Sequence, residues 1–133
     1  DLPPERVEAI VAERGLAAFT PQTITDLGRL EAELERIRAL GYAVDNEEYD
    51  EGLRCIGGQV RDHSCHVVAA LGIGGPVTRI TPDRVDALAE LVMTAARGLS
   101  RRLGAHRSGA YAPAALRVRT TSSQDPVLRP AGA

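Results

Sequence analysis

A chain of 133 residues supports one domain, and an apolar content of 44% is enough for a core, although aromatics make up only 3% and tryptophan is absent. The net charge of −2 offers no basic face for nucleic acid. No run approaches the ~18 apolar residues of a membrane span and no charged-then-apolar leader is seen, so a cytoplasmic protein is expected. Cys55 and Cys65 do not make a disulfide framework.

The chain opens at Asp1 directly on a helix signal, as if continuing something longer. Pro3-Pro4 starts a first helix to Arg14, with Val7, Ile10 and Val11 on one face and Gly15 as its stop. Residues 16–25 are a connection whose Thr20, Thr23 and Thr25 suit turns or an extended edge. Asp26 is a good N-cap for a second helix, in which Leu27, Leu30, Leu34, Ile37 and Leu40 recur at helical spacing before Gly41. Tyr42 to Asp45 reads as a short strand, followed by the acidic run Glu47, Glu48, Asp50 and Glu51, a solvated turn by composition. Residues 53–60 and 65–73 alternate as strands joined by the loop Arg61-Asp62-His63-Ser64. A final helix starts at Thr81 and carries Val85, Leu88, Leu91, Val92, Leu99 and Leu103 inward, with an alanine-rich interior that permits close approach. Beyond Gly104 the periodicity stops, and residues 105–133, rich in Ala, Pro, Ser and Arg, are expected to be a disordered tail. Helices and antiparallel strands in this order predict an α+β sheet with helices packed on it.

A regular hairpin closed by four residues pairs Val60 with Cys65 and puts Cys55 opposite Ala70. One face then collects Ile56, Val60, Val67, Ala69, Leu71 and Ile73, the core side. The other collects Cys55, Gly57, Gln59, His66, Val68, Ala70, Gly72 and Gly74. Such a small-residue face serves either close packing against a helix or a ligand hollow with Cys55 on its floor, and the pattern alone leaves both open.

Several chemistries fail on spacing. Cys65 and His66 are adjacent on a strand and diverge, while Cys55 and His66 lie about 13 Å apart at the usual rise. That disfavours a zinc site and a Cys–His dyad, which needs about 3 Å. The acidic run DNEEYDEG lacks the spaced oxygens and central glycine of a calcium loop. No GxSxG, phosphate loop or dinucleotide fingerprint is present. Neither a metal nor a cofactor is expected, and no catalysis; an enzyme using Cys55 as a thiolate nucleophile is the rival from another class, and a purely oligomerising domain is a third reading.

The residues Thr20-Pro21-Gln22-Thr23-Ile24-Thr25, Arg38 to Gly41 with Tyr42-Ala43, and Asp45-x-Glu47-Glu48-x-x-x-Gly52 with Cys55 resemble the C-terminal effector-binding domain of IclR-type transcriptional regulators. Val68-Ala69-Ala70-Leu71 to Gly75-Pro76, and Arg79 before the last helix, continue the match over residues 3–104. The resemblance implies a fold similar to GAF domains: an antiparallel sheet flanked by helices. It further implies a cytoplasmic regulator sensing a small organic molecule, often a carboxylate or an aromatic compound. A separate winged helix-turn-helix, absent from this chain, would bind DNA, and the assembly would be a homodimer or tetramer. Asp45 and Cys55 correspond to effector-contacting residues of the family; Gly72 and Gly74 stand where it has two strand serines. The first strands of the domain are also missing, so residues 1–104 correspond to part of it. Effector-binding residues are therefore expected at Asp45, Cys55, Gly72 and Gly74, with Asp45 at the rim. The loss of both hydroxyls makes room for a ligand bulkier than a two- or three-carbon acid, and Gly72→Leu is expected to fill the hollow and leave the fold intact.

Overall fold

The computed structural model describes residues 2–105, so the expected tail lies outside the described residues apart from Ala105. The order is α1 (Pro4–Arg14), α2 (Leu27–Leu40), β1 (Tyr42–Asn46), β2 (Leu53–Arg61), β3 (Val67–Pro76), a 3₁₀ turn (Pro82–Arg84) and α3 (Val85–Arg102). The three strands form one antiparallel sheet in the order β1-β2-β3.

Both helices before the sheet end as their residues dictate. Asp26 accepts a hydrogen bond from the Arg29 amide at 2.9 Å, filling one of the unpaired donors of the first turn of α2. Gly41 closes α2 in the left-handed region at φ 83°, its N–H bonded to the Ile37 carbonyl. Neither α1 nor α2 contains a fully buried residue. A clasp between side chains and backbone holds the connection between them to the sheet. Thr20 Oγ1 donates to the Glu47 carbonyl at 2.6 Å, and Thr23 Oγ1 to that of Glu48.

The core lies on one face of the sheet, under α3. Along β2 the residues alternate strictly between buried and half-exposed from Arg54 onward, with Ile56 and Val60 showing no exposure. Val44, Ile56, Ile80, Val85, Ala89 and Val92 form the central cluster, with Tyr42 and Leu88 packed against it. The buried stripe of α3 is Val85, Ala89, Val92, Ala96 and Ser100. Leu91, Leu99 and Leu103, expected inside, are instead 67%, 39% and 44% exposed. The cause is the closeness of the helix to the sheet. A β-carbon at Gly58 would sit 3.3 Å from Val92 Cγ1 and 3.4 Å from the Ala96 β-carbon, so alanine fits the interface and leucine does not. The sequence also gave no sign of the buried Arg54, whose Nε donates to Asn46 Oδ1 at 2.7 Å and whose Nη1 donates to the Ile80 carbonyl. That side chain ties the turn after β3 to the sheet through neutral acceptors.

The hairpin departs from the expected register. Val60 pairs with Ala69 rather than Cys65, and Cys55 lies opposite Gly74 rather than Ala70. Asp62 reorganises the turn: its Oδ1 accepts from the amides of Ser64 and His66, and its N–H donates to the His66 carbonyl. Cys65 is thereby held at φ 63° outside the strands, and β3 starts at Val67 and runs on through Gly75 to Pro76. The slip is four residues, an even number, so nearly every residue keeps its expected face. The exceptions sit at the irregularity between Val60 and Arg61, where Val67 becomes the partner of Arg61, and His66 drops out of the sheet.

Gly58→Leu should cost about 2–3 kcal/mol by forcing extra carbons between β2 and α3. A lowered urea midpoint with an unchanged slope would register this; an unchanged midpoint would show that the helix is free to lift.

Candidate functional site

The face of the sheet turned away from α3 is built in rows by strand pairing. Asp45 lies opposite Cys55, which lies opposite Gly74, so the three form one row across all three strands. Ala43, Gly57 and Gly72 form the next, and Gln59 with Ala70 a third. Three of the four expected site residues therefore share a row, and Gly72 stands in the adjacent one. Adjacent strands are about 4.8 Å apart, so the first row spans about 10 Å. Ala70, Gly72 and Gly74 are exposed and Asp45, Cys55, Gly57 and Gln59 half-buried, so this face is open to solvent along β3.

Asp45 stands at the β1 end of the row, and part of its carboxylate is already used. Its Oδ1 accepts from the Glu48 amide at 2.8 Å and shapes the turn into β2. Glu47, at φ 61°, does the same from the other side, with Oε2 on the Gly52 amide at 2.8 Å. The acidic run is thus a tightly bonded turn, and exposed Phe19 and Tyr49 meet over it with ring centroids 4.9 Å apart. Burial first and then the Asp45 charge push the Glu48 carboxyl above its ordinary range; a backbone hydrogen bond opposes them, and Glu33 and Arg29 have lesser effects of opposite sign.

Cys55 carries a thiol whose pKa is raised, first by burial and then by the facing Asp45 carboxylate. Both effects disfavour the thiolate, the reverse of what a nucleophile requires. The sulfur leans over Gly74: a β-carbon there would lie 2.8 Å from Cys55 Sγ. At Gly72 the obstruction is backbone, with a β-carbon 2.8 Å from the Ile56 carbonyl oxygen. Gly72→Leu would therefore shift the sheet, contrary to the expectation that it fills the hollow and spares the fold. Gly57 has the space instead, with nothing within 4 Å of an added β-carbon and no left-handed φ.

A groove of about 490 Å³ adjoins the first row and is centred on the second and third. Ile37 of α2, Ala43, Gly57, Gln59, Val67 and Ala70 are among its lining residues. Asp45, Cys55, Gly72 and Gly74 are not. The sequence placed Gln59 on this face without marking it as a site residue; its signal was a lone amide among small apolar neighbours. The Ile37 contribution was not visible, because it depends on how α2 lies on β1. Among the described residues no three His, Cys, Asp or Glu side chains are gathered to hold a metal ion, and no helix is long and apolar enough to cross a membrane.

A three-stranded antiparallel sheet with helices, one face of it sealed under α3, is a GAF-like α+β architecture. Residues 1–101 match the family described as "Bacterial transcriptional regulator IclR C-terminal", and the chain belongs to that family. Within it the chain is the effector-binding part of a regulator, and the family is not one of enzymes. It is similar to the HTH-type transcriptional repressor AllR of Klebsiella pneumoniae, at 46% identity over 103 residues, 77% of this chain and 38% of that repressor. The chain thus spans less than two-fifths of the length of that relative. Among solved structures it is similar to the Agobacterium tumefaciens repressor BlcR, with a TM-score of 0.75 and 30% identity over 80% of this chain and 42% of that one. It is also similar to the inducer-binding domain of a double mutant of PobR from Acinetobacter, in complex with 3-hydroxybenzoic acid. There the TM-score is 0.71 and the identity 27%, over 74% of this chain and 57% of the other.

The raised thiol pKa predicts that Cys55 alkylates more slowly at pH 8 than an unperturbed cysteine. In a Cys65→Ser background, Asp45→Asn removes the facing charge and should speed the reaction, moving its pH midpoint down. Iodoacetamide rates followed from pH 7 to 10 measure this; an unshifted midpoint would show that the two side chains do not interact.

Proposed function

We propose that this chain senses a small organic molecule on the open face of its sheet and passes that information to a separate winged helix-turn-helix of a cytoplasmic regulator. The observation that carries the reading is the row Asp45–Cys55–Gly74 beside a groove floored by Gly57. A polar acceptor and a low glycine floor are what an orienting pocket needs, since most of the contact is apolar and a few polar groups fix direction. The site residues are Asp45, Cys55, Gly72 and Gly74, with Gly72 and Gly74 acting by being low rather than by touching through side chains. The 3-hydroxybenzoic acid bound by the PobR domain supports a carboxylate or aromatic compound as the effector class. The groove volume favours one bulkier than a two- or three-carbon acid. The chain binds DNA only through the regulator's other domain.

A panel of small carboxylates and aromatic compounds, followed by thermal shift, tests the site. A ligand held only by the folded state raises the melting temperature, by an amount equivalent to about 2.7 kcal/mol at a hundredfold excess over Kd. Gly57→Leu should fold with unchanged or slightly raised stability and lose that shift. A Gly57→Leu chain that still responds as the parent does would place the site elsewhere.

The same regulator works as a homodimer or tetramer. Among the described residues β3 is an edge strand, it has no ionisable residue, and unprotected edges recruit further strands. Light scattering should find the chain self-associated at micromolar concentration, and a clean monomer would oppose this.

A further inference from the structure

We infer that Thr20, in the connection between α1 and α2, is a positioning residue for the site: through the Glu47–Glu48 peptide it holds the Asp45 carboxylate in place and leaves Oδ2 to a ligand donor. This rests on the open-face reading above and adds to it a residue remote in sequence and off the sheet.

Two hydrogen bonds grip the same peptide group from opposite sides. Thr20 Oγ1 donates to the Glu47 carbonyl at 2.6 Å, and Asp45 Oδ1 accepts from the Glu48 N–H at 2.8 Å. That carbonyl and that N–H belong to one planar unit, so neither can turn without the other. Donation into the carbonyl also polarises the unit and strengthens its N–H bond to the carboxylate. The Glu48 carbonyl lies 3.3 Å from Thr20 Oγ1 and is the lesser acceptor; Thr23 Oγ1 serves it instead. Thr20 is itself held, its amide donating to Thr23 Oγ1 at 2.9 Å and its Oγ1 accepting from the Gln22 amide at 3.1 Å. The hydroxyl hydrogen is thereby aimed at the turn.

The rest of the turn fixes Glu47 and stops short of that peptide. Glu47 N–H donates to the Leu53 carbonyl at 3.0 Å, and its Oε2 accepts from the Gly52 amide at 2.8 Å, which together hold φ at 61°. That region is uncommon for a residue other than glycine, so the turn is held by its bonds and not by preference. Rotation of the next peptide about the Glu47 Cα is left to Thr20 on one side and Asp45 on the other. Among the described residues no hydrogen bond uses Asp45 Oδ2. With the peptide clamped, Oδ1 stays committed and Oδ2 keeps one direction on the open face. Without the Thr20 hydroxyl, peptide and carboxylate turn together, and the acceptor that a ligand's hydroxyl or amino group meets is no longer pre-set.

Cys55 reports on the carboxylate, because it is the strand partner of Asp45 and feels its charge. In a Cys65→Ser background of the 133-residue chain, iodoacetamide rates from pH 7 to 10 are compared for the parent, Thr20→Val, Asp45→Asn and the double variant. Thr20→Val should change the rate at pH 8 by about twofold or more, and should change nothing further in the Asp45→Asn chain. Thr20→Ser keeps the hydroxyl and should match the parent. Thr20→Ala should match Thr20→Val, and gives the reading if valine is not accommodated. An effect of Thr20→Val that persists in full with Asp45→Asn would make Thr20 a merely structural residue and overturn the inference, as would a rate that Thr20→Val leaves unmoved. The thiol reads the carboxylate with no ligand present, so either result would overturn the positioning role alone. Binding undiminished in Gly57→Leu would overturn the open-face reading itself.

Discussion

The two-residue period of β2 is the constraint from which the rest follows. Ile56, Gly58 and Val60 turn to α3 and are shut off from water, so Cys55, Gly57 and Gln59 have no choice but the other side. The close seat of α3 on Gly58 fixes the sealed side. An alanine-lined helix can sit there; a leucine-lined one would stand off and leave voids. Since β2 is the middle strand, its alternation is imposed on both neighbours through pairing. Asp45 and Gly74 face the same way as Cys55 because they are its partners, and no side-chain contact is needed to explain that.

The open side is correspondingly poor in large residues, and its polarity comes from few groups. One carboxylate stands at the turn end, partly engaged with backbone, and one guanidinium at the hairpin end, held by an amide and a carbonyl. Between them lie a thiol whose pKa is raised by burial and by the Asp45 charge, and glycines that contribute space. The thiol is a weak polar group packed over Gly74, suited to shape and not to bond-making.

Much of this was legible in the residues. The helix limits followed from Asp26 and Gly41, whose capping chemistry is local and therefore survives without tertiary knowledge. The shared face of Cys55 and the strand glycines was also correct, although the register behind it was four residues off. Parity is robust to an even slip, while the pairing itself depended on the Asp62 side chain, which turned a four-residue loop into a longer bonded turn. The inward face of α3 was misjudged because leucines outrank alanines in any apolar pattern; the deciding factor was distance to the sheet, which no periodicity reports. Arg54 and the Ile37 wall were invisible for a related reason: each depends on a contact between elements remote in sequence. The family resemblance pointed to Asp45 and Cys55 residue by residue, and it could not show that Gly72 has backbone pressed against it.

The shallow seating of α1 and α2 has a thermodynamic corollary. These helices bury no residue completely, and the Thr20 and Thr23 hydroxyls hold the connection between them to the sheet, so they form the part of the domain expected to open at least cost. Yet α2 supplies Ile37, one wall of the groove. An occupant touching that wall binds only the docked arrangement, and by linkage its binding energy is spent on keeping α1 and α2 in place. Occupancy of the groove and closure of the helical layer are thus two readings of a single equilibrium.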